Sequence, residues 1–147
     1  MIDFDFEADP QSLSEAREVD LTTYPGAALA HTFFLMPVRL AINGEELFST
    51  STGIFYMANA LDTLKNLPQT KTAIIHPPGM TLAFELSAGD REVRIIMGPE
   101  RSMNAPYVEL LQAWEAFAER VRNFLVTEFP ELAAHPRVGD WFQAASS

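Results

Sequence analysis

The sequence predicts an α+β fold in which one antiparallel sheet of five or six strands carries two main helices packed on one face. Three features support this prediction: short runs of alternating apolar and polar residues, an Asn-Gly turn between two such runs, and a long amphipathic segment near the C-terminus. A chain of 147 residues can bury one core without disulfides or metals. We therefore expect residues 1–147 to form a single globular domain.

The N-terminal segment has the pattern of a half-buried strand, because residues 2–7 alternate between apolar side chains and carboxylates. Asp9-Pro10 has the form of a helix start, but few apolar residues follow it at helical spacing. We expect a short helix or an irregular segment that ends at Tyr24-Pro25-Gly26.

A β-hairpin is predicted next. Residues Thr32–Ile42 are rich in strand-forming residues and lead directly into Asn43-Gly44. This dipeptide accepts positive φ at both central positions of a type I′ turn. Leu40–Ile42 should therefore pair with Glu45–Phe48.

A helix over residues 53–66 is predicted after the hairpin, because apolar residues recur there at spacings of three and four. Ser49–Thr52 offers side chains for its N-cap, and Leu67-Pro68 closes it. Three alternating runs then predict an antiparallel meander. Its strands are Thr72–Ile75, Met80–Leu86 and Arg91–Met97.

The last main element is a long amphipathic helix of about 20 residues. Asn104 is its expected N-cap, with Pro106 at its start, and Pro130 stops or bends it. In the tail that follows, we expect Trp141 and Phe142 to return and cover the core.

The amino-acid composition excludes several kinds of site and indicates the cellular compartment. The chain contains no cysteine, which excludes disulfides, thiolate metal sites and cysteine nucleophiles. The first ten residues carry acids where a secretory signal carries basic residues. The most apolar stretch is interrupted by polar residues and falls short of the roughly 20 residues that a membrane helix needs. We therefore expect a cytoplasmic protein.

No catalytic, cofactor-binding or metal-binding residue is predicted. The histidines His31, His76 and His135 are too scattered for a helical ligand pair, and we expect structural positions for them at a strand start and in turns. There is no GxSxG nucleophile motif and no glycine run that would cradle a phosphate. The chain is therefore expected not to be an enzyme.

The net charge of −10 favours a basic protein partner and disfavours nucleic acid and anionic membranes. Within residues 1–20, seven acids face a single base, Arg17. Three of the acids lie on the predicted N-terminal strand at intervals of about 6.6 Å and could mimic a row of phosphates. The alternative is that the acids only confer solubility. The candidate partner-binding residues are Asp3, Asp5, Glu7, Asp9, Glu15, Glu18 and Asp20.

The layout over residues 30–135 resembles that of small bacterial immunity proteins of polymorphic toxin systems. The resemblance lies in the strand pair FFLMPVRLAINGEELF, the helix GIFYMANALDTLKNL, the meander LAFELSAGDREVRIIM and the ending LLQAWEAFAERVRNFLVTEFPEL. It implies a cytosolic, often acidic protein that binds a toxin domain and blocks its active site or substrate groove by occlusion.

Two other classes of function stay open. A secretion chaperone for one effector would also be small, acidic and α+β. That class is usually dimeric, and a homodimer is compatible with this sequence; however, it normally opens with a helix, whereas this chain opens with the strand MIDFDFEA. The third class is a small enzyme or ligand-binding module, for which a concave pocket with perturbed titratable groups is expected.

Overall fold

The computed structural model describes residues 1–99 and 101–143 and confirms the α+β class. Its strands are β1 (Ile2–Phe6), β2 (Leu35–Ile42), β3 (Glu45–Gly53), β4 (Thr72–Ile75), β5 (Leu82–Leu86), β6 (Glu92–Met97) and β7 (Arg101–Pro106). Its helices are α1 (Pro10–Arg17), α2 (Gly26–His31), α3 (Ile54–Asn59), α4 (Leu61–Lys65), α5 (Leu67–Thr70), α6 (Tyr107–Glu128) and α7 (Gly139–Gln143). Short 3-10 helices span Leu21–Thr23 and Pro130–Ala134.

The strands form two antiparallel sheets, so the prediction of one sheet with five or six strands is wrong. The first sheet has the order β1-β2-β3 and the second has the order β4-β5-β6-β7. The two sheets approach each other where β3 and β7 meet. There the guanidinium of Arg101 donates to the Leu47 carbonyl at 2.8 Å. A side-chain hydrogen bond thus joins the two sheets at this point, where the described strands form no backbone ladder.

The predicted hairpin is confirmed. Asn43 and Gly44 have φ angles of 53° and 84°, as a type I′ turn requires. The strand β3 runs further than predicted, however, and includes the Ser49–Thr52 segment that was expected to cap a helix. The helix begins at Ile54, with Gly53 at its N-cap position.

The helical region after the hairpin is broken into three short pieces rather than one helix over residues 53–66. Pro68 lies in the first turn of α5 and does not end the helical region, because the first turn of a helix needs no backbone N–H donor at that position.

The helix α2 was not predicted from the sequence. Because this helix extends to His31, β2 begins at Leu35 and not at Thr32.

The meander has four strands and not three. Gly98, with φ of 71°, turns the chain after β6, and β7 then pairs antiparallel along β6. Asn104 therefore lies inside a strand and is not the N-cap of α6, which begins at Tyr107. Only Met103 and Ala105 of β7 turn towards the core, which is why its sequence did not predict a strand.

The core lies where α6 packs on both sheets. Trp114 of α6 is fully buried and contacts Phe4 of β1 and Phe84 of β5, at ring-centroid distances of 4.5 and 5.9 Å. Its indole Nε1–H donates to the Met57 carbonyl of α3 at 2.7 Å. Phe4 also stacks on Phe117, one helical turn further along α6, at 4.0 Å. One helix therefore holds the first sheet, the second sheet and the short helices together.

The C-terminal tail closes one end of the core, as predicted. Phe142 is fully buried and stacks on Phe55 at 5.4 Å. The buried His135 fastens this tail to the chain before α2: its Nε2 faces the Tyr24 carbonyl, and its Nδ1 accepts from the backbone N–H of Arg137. These contacts require the tautomer with the hydrogen on Nε2. The structural position expected for His135 is confirmed.

Trp114→Phe should lower the free energy of unfolding by about 1–3 kcal/mol, because the Met57 carbonyl loses a buried donor and the smaller ring leaves a void. Urea unfolding followed by circular dichroism measures this loss. The matched control is Trp141→Phe, at a half-buried indole that packs edge-on against Phe55. Equal losses from the two substitutions would contradict the bridging role of Trp114.

Candidate protein-binding surface

The strand β1 separates apolar and acidic side chains onto opposite faces of the first sheet, as predicted. Phe4 is 3% exposed, whereas the side chains of Asp3, Asp5 and Glu7 lie exposed on the outer face. Asp3 pairs in register with Ala41, and Asp5 pairs with Arg39. The carboxylates are therefore displayed from a strand whose position is fixed by the core.

These carboxylates border a shallow depression of about 230 Å³ on the outer face of the first sheet. We call this surface the acidic face. It is formed by residues from all three strands and by Glu7, which directly follows β1; the strand residues are Asp3, Asp5, Pro37, Arg39 and Ser49.

Two arginines that the sequence analysis did not select reduce the charge of the acidic face. Arg120 of α6 reaches the Asp5 carboxylate at 3.3 Å, and Arg39 of β2 reaches Glu46 at 3.2 Å. Four carboxylates, counting Glu46, against two guanidinium groups leave two net negative charges. Within the described residues, Asp3 and Glu7 have no ion-pair partner.

The unpaired carboxylates stand at the two ends of the row. Asp3 and Glu7 are four residues apart on an extended chain, a separation of about 13 Å. Asp5 lies between them and is already held by Arg120, and its Oδ1 also accepts from the backbone N–H of Phe6 at 2.9 Å. The acidic face thus offers two free carboxylates with a neutralised one between them.

The other four acids of the predicted set lie outside this row. Asp9 caps α1 by accepting from the backbone N–H of Gln11 at 3.1 Å, and Asp20 caps the 3-10 helix that begins at Leu21. Glu15 accepts from the Gln11 side chain at 3.3 Å, and Glu18 lies at the C-cap of α1. Two of the four carboxylates therefore have a local structural role in helix capping.

The pKa of Asp20 is lowered from its ordinary value. The main cause is the hydroxyl of Thr22, which donates to the carboxylate at 2.6 Å, and the backbone N–H of Thr22 adds to it at 3.1 Å. Both hydrogen bonds stabilise the ionised form. Burial raises the pKa of the Tyr107 phenol, with a smaller contribution from the charge of Asp90. Its hydroxyl donates to the Leu64 carbonyl.

A second depression, of about 400 Å³, lies between α2 and α3. Its lining contains His31, whose ring packs against Tyr56 at 5.1 Å, and Asn59, but no carboxylate. His76 lies after β4, where its backbone N–H donates to the Tyr56 hydroxyl at 2.8 Å. The described residues contain no group of three or more metal-ligating side chains.

In the part of the chain that the structure describes, no helix combines the length and the apolar character needed to cross a membrane. Comparison of the chain with protein-family models, with curated proteins and with solved structures finds no significant match. The resemblance to immunity proteins therefore stays a prediction, and the acidic face is the candidate site on its geometry alone.

Thr22→Val should raise the pKa of Asp20 towards its ordinary value, because the carboxylate loses its hydroxyl donor and keeps only the backbone donor. Since folding depresses this pKa, the contribution of Asp20 to stability is present at neutral pH and is lost as the pH falls through the folded-state pKa. Carboxyl ¹³C NMR titration measures the change.

Thr23→Val provides the matched control, because the Thr23 hydroxyl donates to the backbone carbonyl of Asp20 at 2.7 Å and not to its carboxylate. The pKa of Asp20 in Thr23→Val should match its pKa in the unmodified protein. An Asp20 pKa that stays the same in Thr22→Val would show that the hydroxyl does not stabilise the ionised form.

Proposed function

We propose that this protein is a cytoplasmic immunity protein that binds a basic toxin domain and blocks its active site or substrate groove by occlusion. The observation that carries the proposal is the acidic face: two free carboxylates on a rigid, exposed sheet surface of a chain with a net charge of −10. The resemblance of the layout to immunity proteins supports the same class of function.

The shape of the acidic face favours a protein partner. The depression is shallow and open, and three strands contribute to it, as expected for a surface that covers a partner and does not enclose a small molecule. The charge favours a basic partner, because negative groups attract a positive surface and repel nucleic acid. Toxins that act on nucleic acids or nucleotides present such basic surfaces, and they are the toxins we propose.

The position of the carboxylates favours fast and specific association. Asp3 and Glu7 need no rearrangement of existing ion pairs before they meet a lysine or an arginine of the partner. Because Phe4 and Phe6 on the same strand pack against α6, little backbone conformational entropy is lost when the partner binds. Charge would then steer the encounter, and contacts over the rest of the sheet would set the lifetime of the complex.

The class of function is tested by capture of the full-length protein from its native cell, followed by mass spectrometry. We expect a stable complex with a basic protein encoded beside this gene. Deletion of this gene should arrest growth while that neighbour is intact, and it should have no effect when the neighbour is also deleted. Normal growth in the presence of an intact neighbour, with no stable partner recovered, would exclude the immunity function.

Asp3→Ser combined with Glu7→Ser should slow association with the captured partner by roughly 2- to 10-fold at low salt and should weaken the salt dependence of the rate. The matched control is Glu115→Ser combined with Glu119→Ser on the exposed side of α6, which changes the net charge of the chain by the same amount. Stopped-flow or surface plasmon resonance measures both rates.

The control separates a local effect from a general one. If both double variants slow association equally, only the overall charge of the chain matters, and the binding surface lies elsewhere. An unchanged rate in the Asp3 and Glu7 variant would leave these carboxylates with a role in solubility.

A further inference from the structure

The edges of the two sheets differ in how their backbone groups are satisfied. An edge strand presents a row of N–H and C=O groups that can pair with another chain. On β1, Arg120 donates to the outward carbonyl of Phe4. On β3, Arg101 donates to the Leu47 carbonyl. The strand β7 ends at Pro106, which has no N–H to offer. On β4, the outward backbone groups of Thr72 and Ile74 have no such partner among the described residues.

The register of β4 shows which of its backbone groups point away from the sheet. The backbone N–H of Leu86 donates to the Lys71 carbonyl at 2.8 Å, so Lys71, Ala73 and Ile75 make the ladder bonds to β5. The N–H and C=O groups of Thr72 and Ile74 therefore face outwards, and no described residue bonds to them.

The open part of this edge is short and has a defined end. The next outward group, the backbone N–H of His76, is already bonded to the Tyr56 hydroxyl at 2.8 Å. Four backbone groups thus remain open, two on Thr72 and two on Ile74. Such a set is self-complementary, because an antiparallel copy of the same strand offers the same four groups in reverse order.

The outer face beside this edge is apolar around Ile74, whereas Thr72 lies opposite the exposed Glu85. Ile74 is 62% exposed. Its register partners across the sheet, Ala83 and Ile96, are half-buried on the same face. A β-branched apolar side chain on an open edge strand favours pairing with another strand, whereas edges that avoid pairing carry charges or proline.

The charge around β4 favours a second copy of this chain over a basic partner. Residues 63–84 contain no aspartate or glutamate, although the chain has 20 of them. Lys71 is neutralised by Asp90, whose carboxylate lies 2.6 Å from its Nζ. Glu85, which pairs in register with Thr72, has Arg94 as its own register partner on β6. The charges beside the edge therefore balance, so two copies that each carry a net charge of −10 repel each other weakly here, and no surplus of carboxylates attracts a basic protein.

We infer that β4 pairs antiparallel with β4 of a second copy, around a twofold axis at Ala73, so that two four-stranded sheets join into one of eight strands. Thr72 of each copy then lies opposite Ile74 of the other, and four backbone hydrogen bonds form. The two Ala73 residues meet in the close, non-hydrogen-bonded pair, where a small side chain fits best. This inference is independent of the proposed function.

The test is the oligomeric state of the full-length protein as a function of concentration, measured by sedimentation velocity and light scattering. Such a small interface predicts a reversible dimer, with a dissociation constant of about 10–100 µM. Ile74→Lys places a charge on each side of the axis and should weaken the dimer at least about tenfold. The matched control is Val108→Lys on α6, because Val108 is exposed to nearly the same extent as Ile74, at 61%. The Val108→Lys protein should form a dimer as stable as that of the unmodified protein.

Circular dichroism and a thermal melt establish that both variants fold. A protein that stays monomeric up to about 500 µM would overturn the inference. So would a dimer that Ile74→Lys leaves unchanged, which would place the interface elsewhere. If Ile74→Lys weakens the binding of a different protein while the unmodified chain is monomeric, the open edge belongs to that partner and the self-pairing is wrong.

Discussion

The fold depends on the burial of one indole. Trp114 contacts Phe4 in the first sheet and Phe84 in the second, and it donates its N–H to Met57 in the short helices between them. The described strands of the two sheets share no backbone ladder, so side chains set their relative position: both sheets pack on α6, and Arg101 bonds to the Leu47 carbonyl. Because a protein core is close-packed, a change at this point reaches both sheets. The acidic face on one sheet and the open edge on the other are therefore held by the same helix.

The strand β1 shows how core packing and surface charge are linked. Its even-numbered aromatic residues pack against Phe117 and Phe124 of α6, and this packing fixes the direction of the odd-numbered carboxylates. The same helix supplies Arg120, which bonds to both the Phe4 carbonyl and the Asp5 carboxylate. A helix that buries one face of the strand thus also neutralises part of the other. The edge of β1 is closed to strand addition at the point where its charge is reduced.

The sequence predicts the elements whose periodicity is strong and local. The alternation in β1, the Asn43-Gly44 turn and the apolar repeat of α6 each occupy a continuous segment, and each is confirmed. The strand β7 was missed because only Met103 and Ala105 face the core and because Asn104 before Pro106 also fits a helix start. The division into two sheets depends on long-range packing that no local pattern records.

The candidate site was predictable to the same extent. The outward direction of Asp3, Asp5 and Glu7 follows from the two-residue period of a strand. Arg39 could have been found in the same way, because it lies out of phase with the apolar residues of β2. Arg120 could not, since 115 residues separate it from Asp5. The capping roles of Asp9 and Asp20 also give a structural reason for two carboxylates that the count of charges had placed among the candidate partner-binding residues.

The distribution of charge allows two binding events on one small chain. Carboxylates are concentrated in residues 1–20 and absent from residues 63–84, and these segments supply strands to different sheets. A basic protein would be attracted to the first region, whereas an acidic copy of the chain would meet little repulsion at the second. Because the β4 edge and the acidic face have no residue in common, pairing through β4 would leave both acidic faces free. Such a dimer would then carry two acidic faces, each free to bind one copy of a basic partner.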